Sequence, residues 1–397
     1  MRRQIDFKMA ESEEGDDCAE KLTVKYIGQK VSKVRWKPTY YGQLQESDVF
    51  VTGAWDDERN LISVWTTNEN SRGEYFDNDA LNGEPELLCS LVHDGSVSDM
   101  QFVTSDCFVT SSSTGNVGFY EISKDESNIQ LAREWTSLHC HKNKDSCACT
   151  SITVSHSNAA SVGEDGKINV LHLERKEPLR TIDNAECVAI RSVKYTQTSE
   201  IVTGGATGQL KLWDLRQPAK KPSKTMILSG DKVSLESVER HPHQPCLLVT
   251  GAADGIIGVW DLRHERYPVT LIEAHESEVW EVKFHPQSPD NLFTCSDDGS
   301  VWYWDGTSIG GTTSTAQSGE RYGALPLPDV EGRDARMVNQ QASSPWLFVD
   351  TNKHYLETYS LLPANSLPVN SLDIISKSLV CGTDGEAVII VQDLPIK

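Results

Sequence analysis

One motif of 14 residues recurs along the chain and constrains its fold more than any other feature. Its template runs from an apolar residue and Thr, through small residues and a turn ending in Gly, to alternating apolar residues and a final Trp-Asp. The clearest copies are IVTGGATGQLKLWD at 201–214, LVTGAADGIIGVWD at 248–261 and LFTCSDDGSVWYWD at 292–305. Weaker copies lie at 50–67, 108–122, 160–173 and 379–394. Seven copies predict a chain built from one repeated supersecondary unit.

The spacing of the copies predicts the architecture. The aligned glycines Gly166, Gly208, Gly255 and Gly299 lie 42, 47 and 44 residues apart. A period of about 40–45 residues with a Trp-Asp ending is typical of WD40 blades, each a four-stranded antiparallel sheet. Because one small sheet cannot bury both of its faces alone, such blades stack around an axis and cover each other. The predicted fold class is therefore all-β, a single seven-bladed WD40 β-propeller.

The blades leave part of the chain over. Seven of them need about 300 residues, and the chain has 397. We expect an acidic, disordered tail at 1–21 and a propeller at 22–397 with loop insertions at about 66–86 and 306–343. The sequence leaves open an eighth, degenerate blade, whose strands would come from SPWLFVDTNKHYLETYSLL at 344–362.

The ends of the chain indicate how the ring closes. The last copy of the motif ends close to the C-terminus, so few residues remain for the fourth strand of its blade. The segment LTVKYIGQ at 22–29 alternates apolar and polar residues, as a half-buried strand does. We predict that it forms the outer strand of the last blade, which joins the two ends of the chain and removes an open edge.

The charge balance disfavours some classes of partner. The chain has 58 acidic and 37 basic residues and a formal net charge of −21. Such a surface repels a phosphate backbone, so direct nucleic-acid binding is not expected, although a local basic patch for a protein remains possible. No apolar stretch approaches the roughly 20 residues that span a bilayer, and the first residues lack the apolar core of a secretory signal. We expect an intracellular protein with reduced thiols and no direct membrane contact.

The best-preserved copy of the motif contains side chains that resemble an active site. His275, Thr294, Asp298 and Trp304 fit the positions of a buried hydrogen-bond chain found in WD repeats. The indole N–H and the carboxylate each need a partner when buried, and the imidazole can link them. A hydrolytic site would need an exposed nucleophile beside the His. We therefore predict a structural hydrogen-bond chain and no catalytic residues.

The strongest metal-site candidate is HCHKNKDSCAC at 139–149. Structural zinc sites usually pair ligands at C-x₂₋₄-C spacing, whereas the spacings here are tighter and a second cluster is lacking. We expect a polar loop between blades, no metal and no cofactor, and leave open whether this segment ever binds a metal. Because the sequence contains no recognised catalytic motif either, we predict that the protein is not an enzyme.

Two identical strings suggest a different function. WDLR occurs at 213–216 and 260–263, and resembles a box through which some propellers dock onto the adaptor of cullin ubiquitin ligases. The other interpretation is a salt bridge at the edge of a blade. A substrate receptor of a cullin ligase therefore remains an alternative function. A propeller that reads modified histone tails is a further one, suggested by the acidic surface.

Strings outside the repeat template resemble a known family. They include QKVSKVRWKP at 29–38, VGEDGKINV at 162–170, EAHESEVWEVKFHP at 273–286 and, most specifically, SLLPANSLPVNSLDIISKSLVCGTDGEA at 360–387. The chain is similar in these strings to the small WD40 nucleoporins, the forty-three-kilodalton class, of the Y-shaped scaffold complex in the outer ring of the nuclear pore. The resemblance runs from about residue 22 to 390 and does not extend to the first 20 residues or the two insertions.

The resemblance implies a non-catalytic scaffold subunit in the nucleus, at the nuclear pore complex of the nuclear envelope. It implies a role in pore assembly and in mRNA and protein transport, with a possible kinetochore role in mitosis. Its partners would be other nucleoporins, chiefly a helical-solenoid subunit of the short arm of the Y, and the propeller itself is expected to be monomeric. Trp55 and Trp280 are the candidate partner-binding residues, as aromatics expected at exposed faces. The sequence leaves open the contact face, its affinity and the role of the tail and the 306–343 loop.

Overall fold

The computed structural model forms a ring of seven four-stranded antiparallel sheets among its described residues, as the repeat predicts. The first strand of the chain, β1, spans Lys21–Tyr26 and is described below with the ring closure. The described residues are 21–39, 47–67, 84–218, 221–229, 232–264, 266–307, 345–347, 356–364 and 367–396.

Blades 1 to 3 each follow the chain from the axis outwards. Blade 1 contains β2 (Val31–Trp36), β3 (Val49–Ala54), β4 (Leu61–Thr66) and β5 (Glu86–Val92). Blade 2 contains β6 (Val97–Phe102), β7 (Cys107–Ser112), β8 (Val117–Ile122) and β9 (Ile129–Trp135). Blade 3 contains β10 (Cys149–Ser155), β11 (Asn158–Gly163), β12 (Ile168–His172) and β13 (Arg180–Ile182).

Blades 4 to 6 repeat this arrangement. Blade 4 contains β14 (Ile190–Gln197), β15 (Glu200–Gly205), β16 (Gln209–Asp214) and β17 (Lys224–Ile227). Blade 5 contains β18 (Leu235–Arg240), β19 (Leu247–Ala252), β20 (Ile256–Asp261) and β21 (Thr270–Glu273). Blade 6 contains β22 (Val279–Phe284), β23 (Asn291–Ser296), β24 (Val301–Asp305) and β25 (Glu357–Leu362).

Blade 7 joins the two ends of the chain. It contains β26 (Val369–Ile375), β27 (Ser378–Thr383) and β28 (Ala387–Gln392), and its fourth strand is β1. β1 pairs antiparallel with β28, with Lys21 opposite Gln392 and Tyr26 opposite Ala387. The predicted closure by an N-terminal strand is therefore confirmed.

The first strands of the blades lie side by side around the axis, and β26 contacts β2 to complete the circle. Apolar residues fill the spaces between neighbouring blades. For example, Phe293 of blade 6 belongs to one buried cluster with Leu372 and Cys381 of blade 7. Each blade thus buries its faces against its neighbours, as the repeat pattern requires.

Both predicted insertions fall between the third and fourth strands of a blade. In blade 1, β4 ends at Thr66 and β5 begins at Glu86. In blade 6, β24 ends at Asp305 and pairs with β25, which begins at Glu357. β25, which lies at the end of the 344–362 stretch, is therefore the outer strand of blade 6, and the eighth-blade alternative is wrong for the residues that the structure describes. The tail at 1–20 and the interiors of both insertions lie outside those residues, and their predicted disorder stays a prediction.

Because neighbouring strands of a blade run in opposite directions, successive turns lie on opposite faces of the ring. We call upper the face that carries the second-to-third-strand turns and the connections between blades. The lower face carries the first-to-second and third-to-fourth-strand turns. The Asp-Gly corners of the motif lie on the upper face, where Gly255 and Gly299 adopt φ of 82° and 81°, a conformation that favours glycine. None of the described residues forms a helix that could cross a membrane.

Candidate functional site

The four residues predicted to form a chain lie together inside blade 6. The indole Nε1 of Trp304 donates to Thr294 Oγ1 at 3.1 Å. The threonine hydroxyl lies 2.7 Å from Nε2 of His275, whose side chain is fully buried. Two elements of the motif, β23 and β24, thus hold the Thr and the Trp, and the connection before β22 supplies the His.

A fifth residue, which the sequence analysis missed, joins the His to the Asp. His275 Nδ1 lies 2.8 Å from Ser300 Oγ, and Ser300 donates to Asp298 Oδ1 at 2.6 Å. With the imidazole proton on Nδ1, every group donates to the next, from indole to carboxylate. The direct distance from His275 Nδ1 to Asp298 Oδ2 is 3.4 Å. The sequence did contain a clue to this residue, because a Ser two residues after the corner Asp can donate a hydrogen bond to its carboxylate.

The electrostatics of this hydrogen-bond chain indicate a structural role. Burial raises the pKa of Asp298, but hydrogen bonds from Ser300 and from the N–H of Glu276 outweigh it and hold the pKa below its ordinary value. Thr294 and Ser300 are buried, and their hydroxyls are used within the chain. The arrangement fixes the corner between β23 and β24 and presents no exposed nucleophile.

Blade 3 repeats the arrangement with different side chains. His139 Nε2 lies 3.0 Å from Ser161 Oγ, and its Nδ1 lies 2.9 Å from Asp165 Oδ1. Asp165 also accepts hydrogen bonds from the N–H of Cys140 and of Lys167. A continuous chain from His to corner Asp is therefore present in two blades of the ring.

Other blades keep parts of this hydrogen-bond chain. A buried Trp donates to a Thr in blades 1, 4 and 5, in the pairs Trp65–Thr52, Trp213–Thr203 and Trp260–Thr250. In blade 4 the N–H of Glu186 bonds to Gly166 O, as the N–H of His275 bonds to Gly255 O in blade 6. Glu186 thus occupies the His position, and its carboxylate pairs with Lys211 at 2.5 Å.

The segment at 139–149 is explained by this pattern. Both ring nitrogens of His139 are used inside blade 3. Burial raises the pKa of the Cys147 thiol to about 11 and raises that of Cys149 further. Metal binding requires thiolates, which such burial disfavours. Across the part of the chain that the structure describes, no three His, Cys, Asp or Glu side chains are placed to hold a metal ion.

The two WDLR strings form salt bridges within their own turns. Arg216 binds both carboxylate oxygens of Asp214, at 2.9 and 3.0 Å. Arg263 binds Asp261 in the same way, at 2.9 and 2.7 Å. These turns lie on the lower face, with 75% and 68% of the two arginine side chains exposed. The geometry follows the salt-bridge interpretation, and nothing in it favours cullin docking.

The two tryptophans proposed as anchors lie in different places. Trp55 is half-buried on the upper face, where its Nε1 donates to Asp384 at 3.0 Å and Lys30 Nζ lies 5.4 Å from the ring centroid. Trp280 lies within β22 and lines the axial channel. Its Nε1 is buried and has no hydrogen-bond partner among the described residues.

The axial channel also holds a buried ion cluster that sequence reasoning missed. Arg35 of blade 1 bonds to Glu281 of blade 6 at 2.5 Å and to Ser371 of blade 7 at 3.0 Å. It also lies 3.5 Å from Asp99 of blade 2. Although burial opposes it, the pKa of Arg35 is raised by the charge of Glu281, and that of Glu281 lies well below its usual range because of the nearby cations. The cluster links four blades across the closing seam, and its sequence signal was the presence of charged residues within the first strands β2, β6 and β22.

Comparison with known proteins is consistent with this architecture. The family described as WD domain, G-beta repeat matches residues 266–305, which include the best-preserved motif. The protein named Nucleoporin Nup43 of Homo sapiens is 39% identical over 381 residues, 94% of this chain and 99% of that protein. Its namesake in Mus musculus has the same identity and coverage. The Arabidopsis thaliana protein named Nuclear pore complex protein NUP43 is 33% identical over 140 residues, 31% of this chain and 39% of that protein.

The human and mouse relatives match almost the whole chain. The resemblance found in the sequence is therefore confirmed. The chain belongs to the Nup43 family of WD40 nucleoporins.

Proposed function

We propose that the chain is a non-catalytic scaffold subunit of the nuclear pore complex, within its Y-shaped outer-ring subcomplex. The main support for this proposal is the 39% identity to Nucleoporin Nup43 of Homo sapiens over 94% of this chain and 99% of that relative. In this role the ring supports pore assembly and nucleocytoplasmic transport at the nuclear envelope, by holding other nucleoporins in place.

The use of its reactive side chains supports a role in binding. The histidines and carboxylates of the repeat motif in blades 3 and 6 are bonded to each other inside the blades. Such groups stabilise the ring and are not presented to a substrate. A rigid, preformed ring offers broad surfaces that change little when a partner docks.

The closed ring also bears on how a partner binds. Each of the seven sheets already has four strands, and β1 supplies the one that the C-terminal end lacks. A partner, such as the helical-solenoid subunit of the short arm, therefore docks on a finished ring and is not needed to complete a blade. A lasting contact of this kind buries on the order of 1,200–2,000 Å².

Affinity isolation of the tagged full-length protein from cells of its own organism tests this function. Quantitative mass spectrometry is expected to recover the scaffold nucleoporins in near-equal amounts, and a fluorescent fusion is expected to mark the nuclear rim. Recovery of a cullin adaptor or nucleosomes, with pore subunits at background, would contradict the proposal.

The two tryptophans give a finer test of the contact. Trp55→Glu and Trp280→Glu place a charge at the upper face and in the channel, respectively. If either residue is an anchor, its variant loses recovery of the solenoid subunit while its unfolding curve stays cooperative. A folded variant that recovers the partner fully removes that residue from the candidates.

A further inference from the structure

The charge of the chain is unevenly distributed. Residues 174–266 contain 14 Lys and Arg against 12 Asp and Glu, whereas the whole chain has a net charge of −21. This segment runs from the third-to-fourth-strand turn of blade 3 to the corresponding turn of blade 5. The acidic excess of the protein therefore lies outside it, and blades 4 and 5 are the basic part of an acidic ring.

The cations of these blades lie on one face. Because first-to-second and third-to-fourth-strand turns are at the same end of a blade, both sets lie on the lower face. A backbone hydrogen bond from Leu215 N to Ser199 O joins the two lower-face turns of blade 4. Another runs from Ile227 N, at the end of β17 opposite Gln209, to Arg266 O and packs the blade 5 turn against the outer strand of blade 4. We call these cations the basic sector: Arg216, Lys221, Lys224, Arg240, Arg263 and Arg266.

The carboxylates beside the sector neutralise part of it. Asp214 and Asp261 each bind the arginine of their own turn. In the described residues, no ion pair involves Lys221, Arg240 or Arg266. Lys221 and Arg266 are exposed, and Arg240 donates to Thr196 O at 3.3 Å. The sector therefore keeps a local positive charge.

Exposed apolar side chains adjoin the cations. Tyr267 follows Arg266 directly and is 57% exposed, and Leu271 on β21 is 47% exposed. Arginine and tyrosine are the residue types that most often carry binding energy at protein interfaces. A positive patch with an aromatic residue at its edge suits a negatively charged partner that also brings apolar contacts.

Most of these side chains are not needed for the fold. The repeat motif requires the corner Asp, the Thr and the Trp, but no residue type at Lys221, Arg266 or Tyr267. Lys224 and Arg240 are exceptions, since Lys224 Nζ donates to Leu262 O at 2.8 Å and Arg240 donates to Thr196 O at 3.3 Å, and each bond joins blade 4 to blade 5. Two cations and a large exposed aromatic residue within a few residues thus lack a structural explanation.

We propose that the basic sector binds an acidic segment of a partner protein in the pore scaffold, which rests on the function proposed above. Lys221, Arg240 and Arg266 attract the carboxylates of that segment, and Tyr267 packs against its apolar side chains. A protein segment fits better than nucleic acid, because the net charge of −21 repels a long polyanion. Electrostatic attraction to the basic sector also speeds association of the partner and fixes its orientation on the ring.

A matched pair of charge reversals tests the proposal. Lys221→Glu/Arg266→Glu reverses two exposed cations of the sector and changes the net charge by −4. Lys142→Glu/Lys144→Glu makes the same change at exposed positions of the 139–149 segment on the upper face. Both variants are compared with the wild-type full-length protein in affinity isolation, with each pore scaffold subunit quantified, and by thermal unfolding.

The sector variant is expected to lose about tenfold in recovery of at least one scaffold subunit, with unchanged unfolding, and the control is expected to lose none. Tyr267→Ser is expected to lower recovery of the same subunit without a change in net charge. Equal recovery by wild type and sector variant, or equal loss in sector variant and control, would overturn the proposal that the basic sector binds the partner. Failure of the wild type itself to recover pore subunits would contradict the proposed function instead.

A second readout separates the classes of partner. The isolated partner subunit and a 20-base single-stranded DNA are each titrated into the wild-type protein at low and moderate salt. Partner binding that weakens as NaCl rises to about 300 mM, while DNA stays unbound, supports an acidic protein segment. DNA binding that the sector variant abolishes would show instead that the sector recognises phosphates.

Discussion

The acidic corners of the upper face and the basic sector of the lower face carry their charges for different reasons. On the upper face the repeat motif itself requires acids, because each Asp-Gly corner lies there and Asp165 and Asp298 accept hydrogen bonds that hold their corners. On the lower face of blades 4 and 5 the motif requires no cation at Lys221 or Arg266, yet both are present and exposed. The corner acids of the repeats therefore serve the fold, whereas charges that the repeat does not require are available to a partner.

Both faces depend on a closed ring, so opening it is expected to have the largest effect. Removing residues 21–26 leaves β28 with an unpaired edge and exposes the apolar contacts of Val24. We expect loss of cooperative unfolding, measured by circular dichroism and calorimetry. An unchanged melting curve would show that the axial contacts around Arg35 close the ring without β1.

Replacing a buried corner acid should lower the stability of the fold and leave partner binding unchanged. Asp165→Ala leaves the N–H of Cys140 and the imidazole of His139 without an acceptor. We expect a loss of about 2–3 kcal/mol in the free energy of unfolding, measured by urea denaturation. The control is Asp254→Ala at the corresponding corner of blade 5, which is exposed and bonds to the N–H of Ile256 alone among the described residues. Equal losses in both variants would remove the distinction between the corners.

Acid should weaken the upper-face corners. Burial raises the pKa of Asp165, but the hydrogen bond and charge of His139 outweigh it, so its folded pKa lies below the ordinary value of 3.8. Its contribution is then present above the ordinary pKa of the unfolded chain and is lost as the pH falls through the lower folded pKa. Between about pH 5 and pH 2.5, wild type should lose more unfolding free energy than Asp165→Asn. Parallel losses would contradict the assignment.

The smallest effect is expected at the exposed arginine of the lower face. Arg216→Gln removes a salt bridge to Asp214 in a side chain that is 75% exposed, and such surface pairs contribute little to stability. The midpoint of urea denaturation should stay unchanged, while recovery of the scaffold partner falls. A clear shift of the midpoint would give the arginine a structural role and weaken the contrast between the faces.

Sequence reasoning predicted the ring and its closure, and missed contacts that depend on the folded geometry. The seven blades and the closing strand followed from the copies and from the missing fourth strand of the last one. Ser300 was missed because its role depends on how the corner turns back on His275. Arg35 and Glu281 lie on first strands outside the motif, and their pairing across blade 7 needs the closed ring. The basic sector likewise appears only when strand direction assigns each turn to a face.

Hydrogen exchange measured by mass spectrometry, on the full-length protein with and without its isolated scaffold partner, tests the central claim most directly. When the partner binds, we expect slower exchange in the lower-face turns at 215–224 and 262–268, with the Asp-Gly corners at 164–167 and 297–300 unchanged. Slower exchange confined to those corners would show that the partner binds the upper face, and would contradict the claim that its acids serve the fold.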